Sequence, residues 1–315
     1  IVGIIAAVAM AASVFAADVS AQVKLGGSLF KYDGTNVTAL NISNAATADY
    51  AKALGLSANS DNAGAAFDLW FDSTDDKLKS ENWNIWFKPF DMLKVVVGNY
   101  GTNLNQEQID WWRSDSGSTG GQGFAFELYP ADGISFTLAL LPGWGNNWFE
   151  GNAVKDMYVK FDYSADFGKI NVMLNANGNF KNLKFGAGYA NTFDGISMFV
   201  NVLGYANGGF NKIRIEPFAK GNVDAFGWAV FAPVDINLGD KVTAAVGTIA
   251  KINYAIGAVN AYLYINEGNW LDFSSINIKP GVTGSVGIMG WEVAADMNIG
   301  KAFTLNIPVS FSVNF

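Results

Sequence analysis

The sequence predicts an all-β chain, a closed antiparallel transmembrane β-barrel of about 16–18 strands, and three observations carry that reading. The first is the end of the chain. Phe303, Leu305, Ile307, Val309, Phe311, Val313 and Phe315 alternate with Thr304, Asn306, Ser310, Ser312 and Asn314, and Pro308 alone departs from the pattern. Successive strand side chains point to opposite faces, so this segment has one apolar and one polar face. The second is composition: 50% of the 315 residues are hydrophobic and only 15% charged, with 24 Phe, 11 Tyr, 10 Trp and 35 Gly. A soluble domain carries about 25% charged residues. Beyond residue 17, no run reaches the roughly 18 apolar residues of a membrane helix. The third is repetition, since the same alternation recurs between turn signals along most of the chain.

Taken in order, residues 1–17 read as a secretory leader. Ile1 to Phe15 is apolar or small, and Val14-Phe15-Ala16 supplies a small-residue cleavage site. The Met and basic start of such a leader are not in the sequence, which is therefore expected to begin inside it. Residues 18–315 are expected to form one barrel domain. Residues 19–32 and 65–72 read as strands. Residues 45–54 lie in an Ala, Asn and Ser-rich stretch and read as a short helix. An extra crossing near 37–43 gives 18 strands, and treating weak segments as loop gives 16.

From residue 82 the chain reads strand, turn, strand. Trp83, Ile85 and Phe87 share one face, Pro89-Phe90-Asp91 breaks the run, and Leu93, Val95 and Val97 resume it. Phe124, Phe126 and Leu128 lead into a turn at 130–133, and Ile134, Phe136, Leu138 and Leu140 lead out. Met157, Val159, Phe161 and Tyr163 precede Asp166-Phe167-Gly168. Ile170, Val172, Leu174 and Ala176 then face away from Asn171, Asn175 and Asn177. Further strands are expected at about 182–192, 195–205, 211–221, 225–237, 240–252, 254–265, 273–284, 287–298 and 302–315. At about 10 to 13 residues and about 3.3 Å each, a strand tilted near 45° crosses a hydrocarbon layer of about 25 Å. Short connections near 90, 131, 166, 194, 223, 253 and 286 alternate with others that include the long loops 101–121, 143–153 and 266–272. If Phe315 marks the periplasmic end, all the long loops fall on the outer side.

The segment Asn84-Ile85-Trp86-Phe87-Lys88-Pro89-Phe90-Asp91-Met92-Leu93-Lys94-Val95-Val96-Val97-Gly98-Asn99-Tyr100 resembles the strand–turn–strand of spirochaete (treponeme-type) outer-membrane proteins. The terminal Phe315 resembles the C-terminal signal that a barrel assembly machinery reads. The resemblance covers about 17 residues and that last aromatic. It implies a bacterial outer-membrane porin-like barrel, embedded in lipid, passing small polar solutes or ions and homo-oligomeric as many porins are. It implies no catalytic residue.

On that reading the polar faces line a lumen, and Lys160, Asp162, Lys212, Arg214, Glu216, Lys220, Glu292 and Asp296 are the candidate lining residues. In the long loops, Asp110, Trp111, Trp112, Arg113, Asp115, Trp144, Trp148 and Trp270 are candidates for a constriction or for ligand stacking. Their bland reading is an interfacial aromatic girdle and loop self-packing. The alternative function is a plugged or narrow barrel acting as an adhesin or structural protein; a secreted soluble β protein is a third.

Absences limit the chemistry further. With no His and no Cys, there is no imidazole base, thiol nucleophile or disulfide. The net charge is −8 without a basic patch, which excludes nucleic-acid binding and leans towards a weak cation preference. Asp72, Asp75 and Asp76 match no EF-hand spacing. Gly186-Ala187-Gly188 lacks the third glycine of a dinucleotide fingerprint, and reads instead as easing strand curvature or packing. No enzyme, metal or cofactor is expected.

Overall fold

The computed structural model describes residues 17–20, 22–42, 51–72, 77–109, 112–113, 119–141, 156–177 and 181–314. The leader (save Ala17) and Phe315 lie outside them, as do Asp75, Asp76, Asp110, Trp111, Asp115, Trp144 and Trp148. The chain divides into two compact units, one of residues 1–87, 255–261 and 279–315, the other of residues 88–254 and 262–278.

In the second unit, the long strands up to Phe210–Val223 pair antiparallel in sequence order. Leu93–Thr102 pairs with Thr119–Ala131, then Ile134–Leu140, Asp156–Ala165, Gly168–Asn177, Asn182–Phe193, Ile196–Asn207 and Phe210–Val223 follow in sequence order. The turns are tight where the chemistry allows it. Asp194 and Gly195 have φ of 48° and 77°, the two positive values a type I′ hairpin needs, and Asp-Gly adopts them at low cost.

Burial along these strands is inverted relative to a soluble sheet. In Ile196–Asn207, Met198, Val200 and Val202 are 40%, 44% and 47% exposed, while Phe199, Asn201 and Leu203 between them are buried. Phe126, Phe136, Leu138, Val159 and Val172 are likewise exposed; Thr137, Lys160, Asn171, Asn175 and Glu216 are buried. Water would not leave aliphatic side chains out and amides in over so many strands.

In the first unit, Gln22–Tyr32 pairs with Thr304–Asn314 on one side and Val37–Ile42 on the other. Ala17–Ser20 pairs instead with Ala51–Asn59, which pairs with Ala63–Asp72, and that with Lys77–Phe90. Residues 51–54 are therefore strand, correcting the helix expected over 45–54, whose remaining residues lie outside those described. The Ser28 hydroxyl donates to Asn306 Oδ1 across the ladder to the last strand.

Pro233 and Gly247 divide strands that alternation alone joins. The expected strand 225–237 is two, Phe226–Phe231 and Val234–Leu238, and 240–252 becomes Val242–Val246 and Thr248–Ile256. Pro233 has no N–H for the ladder, so pairing changes partner there. Phe226–Phe231 pairs with Thr248–Ile256, and Val234–Leu238 with Val242–Val246. The Gly247 N–H donates to the Pro233 carbonyl at 2.9 Å. The turn expected near 253 falls at 257–258.

Candidate functional site

Antiparallel register lines up the polar positions of the second unit into rows that run across strands. One row is Ser135, Asp162, Asn171, Gly188, Asn201 and Glu216. The next is Thr137, Lys160, Met173, Gly186, Leu203, Arg214 and Asp235. Two glycines thus occupy alternate inward positions of Asn182–Phe193 and leave a slot in an otherwise filled wall.

The segment after Leu93–Thr102 enters that slot. Leu104 and Asn105 are buried. Asn171 Nδ2 donates to Asn105 Oδ1 at 2.9 Å, and Asn105 Nδ2 donates to Asn201 Oδ1 at 3.2 Å. Asn201 Nδ2 donates to the Asn105 carbonyl at 2.8 Å and towards Glu216 Oε2 at 3.3 Å. A Cβ on Gly188 would collide with the side-chain amides of Asn105, Asn171 and Asn201, and one on Gly186 would press on Leu203 and Leu104. The segment holds its own shape through Asn103 Nδ2, which donates to Gln106 Oε1 at 2.7 Å. Gln108–Ile109 then pairs with Trp112–Arg113.

Charges on the wall are paired. Arg214 binds Glu216 Oε1 at 2.8 Å and Asp235 Oδ2 at 2.9 Å, and Lys212 takes Asp235 Oδ1 at 2.8 Å. Lys160 and Lys169 share Asp162 at 3.1 and 3.0 Å. Lys220 meets Glu107 of the inserted segment at 2.7 Å. Lys94 binds Glu127 at 3.0 Å, and Glu127 also accepts from the Tyr100 and Tyr129 hydroxyls. Low effective dielectric makes such pairs strong and an unpaired charge costly. One row departs from this polarity: Phe199 and Phe218 stack at 4.9 Å with planes 15° apart. Between this row and the inserted segment lies a cavity of ≈ 630 Å³.

Of the lining residues expected from sequence, Lys160 and Asp162 meet each other, Lys212 and Arg214 join through Asp235, and Arg214 also holds Glu216. Lys220 meets the inserted segment. In the first unit, Glu292 pairs with Lys279 at 3.3 Å. Asp296 stands opposite Asn306 in its ladder. Among the loop candidates, Trp112 and Arg113 lie in the short pairing just described. Trp270 sits in the 3-10 turn Trp270–Asp272; its indole N–H donates to Thr248 Oγ1 at 2.9 Å and its ring stacks on Phe273. Sequence reasoning missed Asn105, Glu107 and Asp235 as functional residues, and read Gly188 only as a packing or curvature residue. The available signal was the polar position at 201 between Val200 and Val202, together with two glycines two residues apart.

The wall presents fixed dipoles and neutralised charges, and the sequence holds neither a thiol nor an imidazole. No family model matches the chain, and no curated protein matches it. Solved structures do. Acinetobacter baumannii OccAB4 superposes with a TM-score of 0.60 at 10% identity, over 95% of this chain and 97% of that one. Pseudomonas aeruginosa OpdL gives 0.60 at 9% identity, over 95% and 98%. A mutant of the Rhodopseudomonas blastica porin gives 0.57 at 13%, over 95% and 100%. At these identities the likeness shows fold alone, and the fold is that of porins.

Proposed function

We propose that this chain is a bacterial outer-membrane porin-like channel through which small polar solutes or ions diffuse passively. The observation that carries the reading is the inverted burial: exposed Val200 and Val202 flank a fully buried Asn201. Apolar side chains facing lipid and amides facing a wet interior are what a transmembrane barrel requires. The porin fold of the neighbours supports the same reading, as does the segment at 103–107, which is held against the polar face of the wall.

On this reading the chain forms one closed barrel of about 16–18 crossing strands, since segments divided at Pro233 and Gly247 continue single crossings. Residues 1–17 are its leader, Phe315 its assembly signal, and the spirochaete-type hairpin at 84–100 its affinity to a lineage. Assembly into a homo-oligomer, as many porins form, belongs to the same reading. Lys160, Asp162, Lys212, Arg214, Glu216 and Lys220 set the field in the passage. Glu292 and Asp296 extend it.

Planar-bilayer recording of the purified, folded protein is the test. Discrete ion-conducting steps are expected, and a folded protein without them would sink the open-pore reading. The second reading, surface display, is favoured by one observation: Trp270 and Phe273 are 47% and 52% exposed and stacked on each other. Replacing both by Ala separates the two, since lost adhesion at unchanged conductance supports display.

A further inference from the structure

One row of the wall gathers like charges instead of pairing opposite ones. Register sets Lys184, Tyr205, Lys212 and Asn237 side by side across four strands. Tyr205 stands two positions beyond the buried Leu203 and so shares its face. Lys184 and Lys212 flank it, and each ammonium lies 5.3 Å from the centre of its ring. The quadrupole of an aromatic ring attracts a cation over its face. The ring therefore holds near each other two cations whose repulsion would spread them apart.

Beside them, at the strand ends away from the Asp194-Gly195 turn, is a cavity of ≈ 550 Å³. That volume falls within the range of small-molecule sites, about 300–1,000 Å³. The two lysines and Tyr205 line it with Asn182, Asn211 and Asn237, and its described lining contains no carboxylate. Asn211 is the extra residue of a bulge, between Lys212, which pairs with Tyr205, and Phe210, which pairs with Ala206. Both lysines are half-buried, with 29% of the Lys212 side chain exposed. Asp235 takes Lys212 at 2.8 Å and is held from its other oxygen by Arg214 at 2.9 Å. An ammonium has three N–H donors, so that bond leaves Lys212 two. Asn237 Nδ2 reaches Thr243 Oγ1 at 3.4 Å, which leaves its second N–H.

The donors select the ligand. Two ammoniums side by side call for more negative charge than one carboxylate carries, and the amides add N–H groups beyond what two oxygens accept. A phosphate monoester brings about −1.5 to −2 charges at pH 7 and three strong acceptor oxygens. Tyr205 needs no contact with the solute, because its part is to anchor the cations. Anchored cations lose little freedom on binding. We propose that this cavity binds the phosphate group of a small phosphate monoester. The proposal rests on the porin-like reading for the solute's route and adds a solute class to it.

The test begins with binding, which does not depend on conduction. A phosphorus NMR titration of glycerol 3-phosphate with the whole protein folded in detergent micelles is expected to show saturable binding in the millimolar range, weakened by added salt. Lys184→Met keeps a long stem and removes the charge, and is expected to weaken binding about fivefold. Lys184→Arg restores the charge and is expected to stay within about twofold of the parent. Tyr205→Leu removes the anchor and is expected to cost about threefold. The heat-modifiable electrophoretic shift shows which variants are folded, and Tyr205→Leu carries the test if Lys184→Met is not. Three results would overturn the proposal: no saturable signal, a folded Lys184→Met protein that binds like the parent, or glycerate displacing glycerol 3-phosphate at equal concentration. Bilayer recording reads the channel separately. Conducting steps without phosphate binding leave the porin-like reading standing and remove this one; binding without steps does the reverse.

Discussion

Asn105 and Asn171 face each other as an amide pair across 66 residues of sequence, with Asn171 Nδ2 donating at 2.9 Å and Asn105 Nδ2 reaching Asn171 Oδ1 at 3.5 Å. The pair fixes where the inserted segment sits. Replacing Asn105 by Leu keeps the branched heavy-atom skeleton and removes three amide contacts, leaving Asn171 and Asn201 short of partners. At about 1 kcal/mol per buried hydrogen bond, a loss of about 2–3 kcal/mol is expected. Urea titration of the protein folded in vesicles measures it. Gly188→Ala is expected to unseat the same segment sterically, and to change single-channel conductance in the same direction as Asn105→Leu.

Glu216 is fully buried between Arg214 and Asn201. Glu216→Leu strands part of the Arg214 charge, although Asp235 still holds its other side. Breaking one arm of a buried pair costs about 3 kcal/mol. Glu216→Gln, which keeps an acceptor, is expected to cost less than half of that in the same titration. Equal losses would mean that the lost charge, and not the hydrogen-bond acceptor, carries the effect.

Val200 is exposed on the apolar face, and a soluble protein would accept Arg there freely. With lipid against that face, Val200→Arg is expected to destabilise the folded state by about 2–4 kcal/mol near the bilayer midplane. Urea unfolding from lipid vesicles gives the number, and a change near zero would place water, not lipid, against Val200.

Asp33 closes the turn after Gln22–Tyr32. Its carboxylate accepts from the Asn36 and Thr35 N–H groups at 2.8 and 3.0 Å. These bonds hold its pKa below the ordinary 3.8. Because the folded value is the lower one, its contribution is complete above 3.8 and is lost as pH falls through the folded value. The carboxyl carbon shift of Asp33, followed by NMR in micelles, is expected to titrate below 3.8; a midpoint at or above it contradicts the turn geometry. In Asp33→Asn the acid-dependent part disappears.

Strand positions were legible because alternation is local. Ile196–Asn207 was expected at 195–205, and the Asp194-Gly195 turn announces itself in two letters. What misled was also local. The Ala-rich 45–54 stretch suits a helix by propensity, but Ala51–Asn59 has a partner in Ala63–Asp72, and pairing outweighs a weak intrinsic preference. The breaks at Pro233 and Gly247 depend on which neighbour each half finds, which periodicity does not encode. In the site, Asn171 and Glu216 could be put on the polar face by counting. Asn105 could not, since its partners lie 66 and 96 residues away and no repeat connects them.

The inverted strands divide the chain into two evolutionary regimes. On the porin-like reading that face meets lipid, which has no fixed shape, so Met198, Val200 and Val202 answer only to hydrophobicity and can exchange freely among Leu, Ile, Phe and Met. Asn201, one atom layer away, is interlocked with Asn105, Glu216 and the gap at Gly188, and can change only if they change with it. Across homologues, every second residue of Ile196–Asn207 should drift while its neighbours covary. Such a chain records its ancestry on one face and erases it on the other.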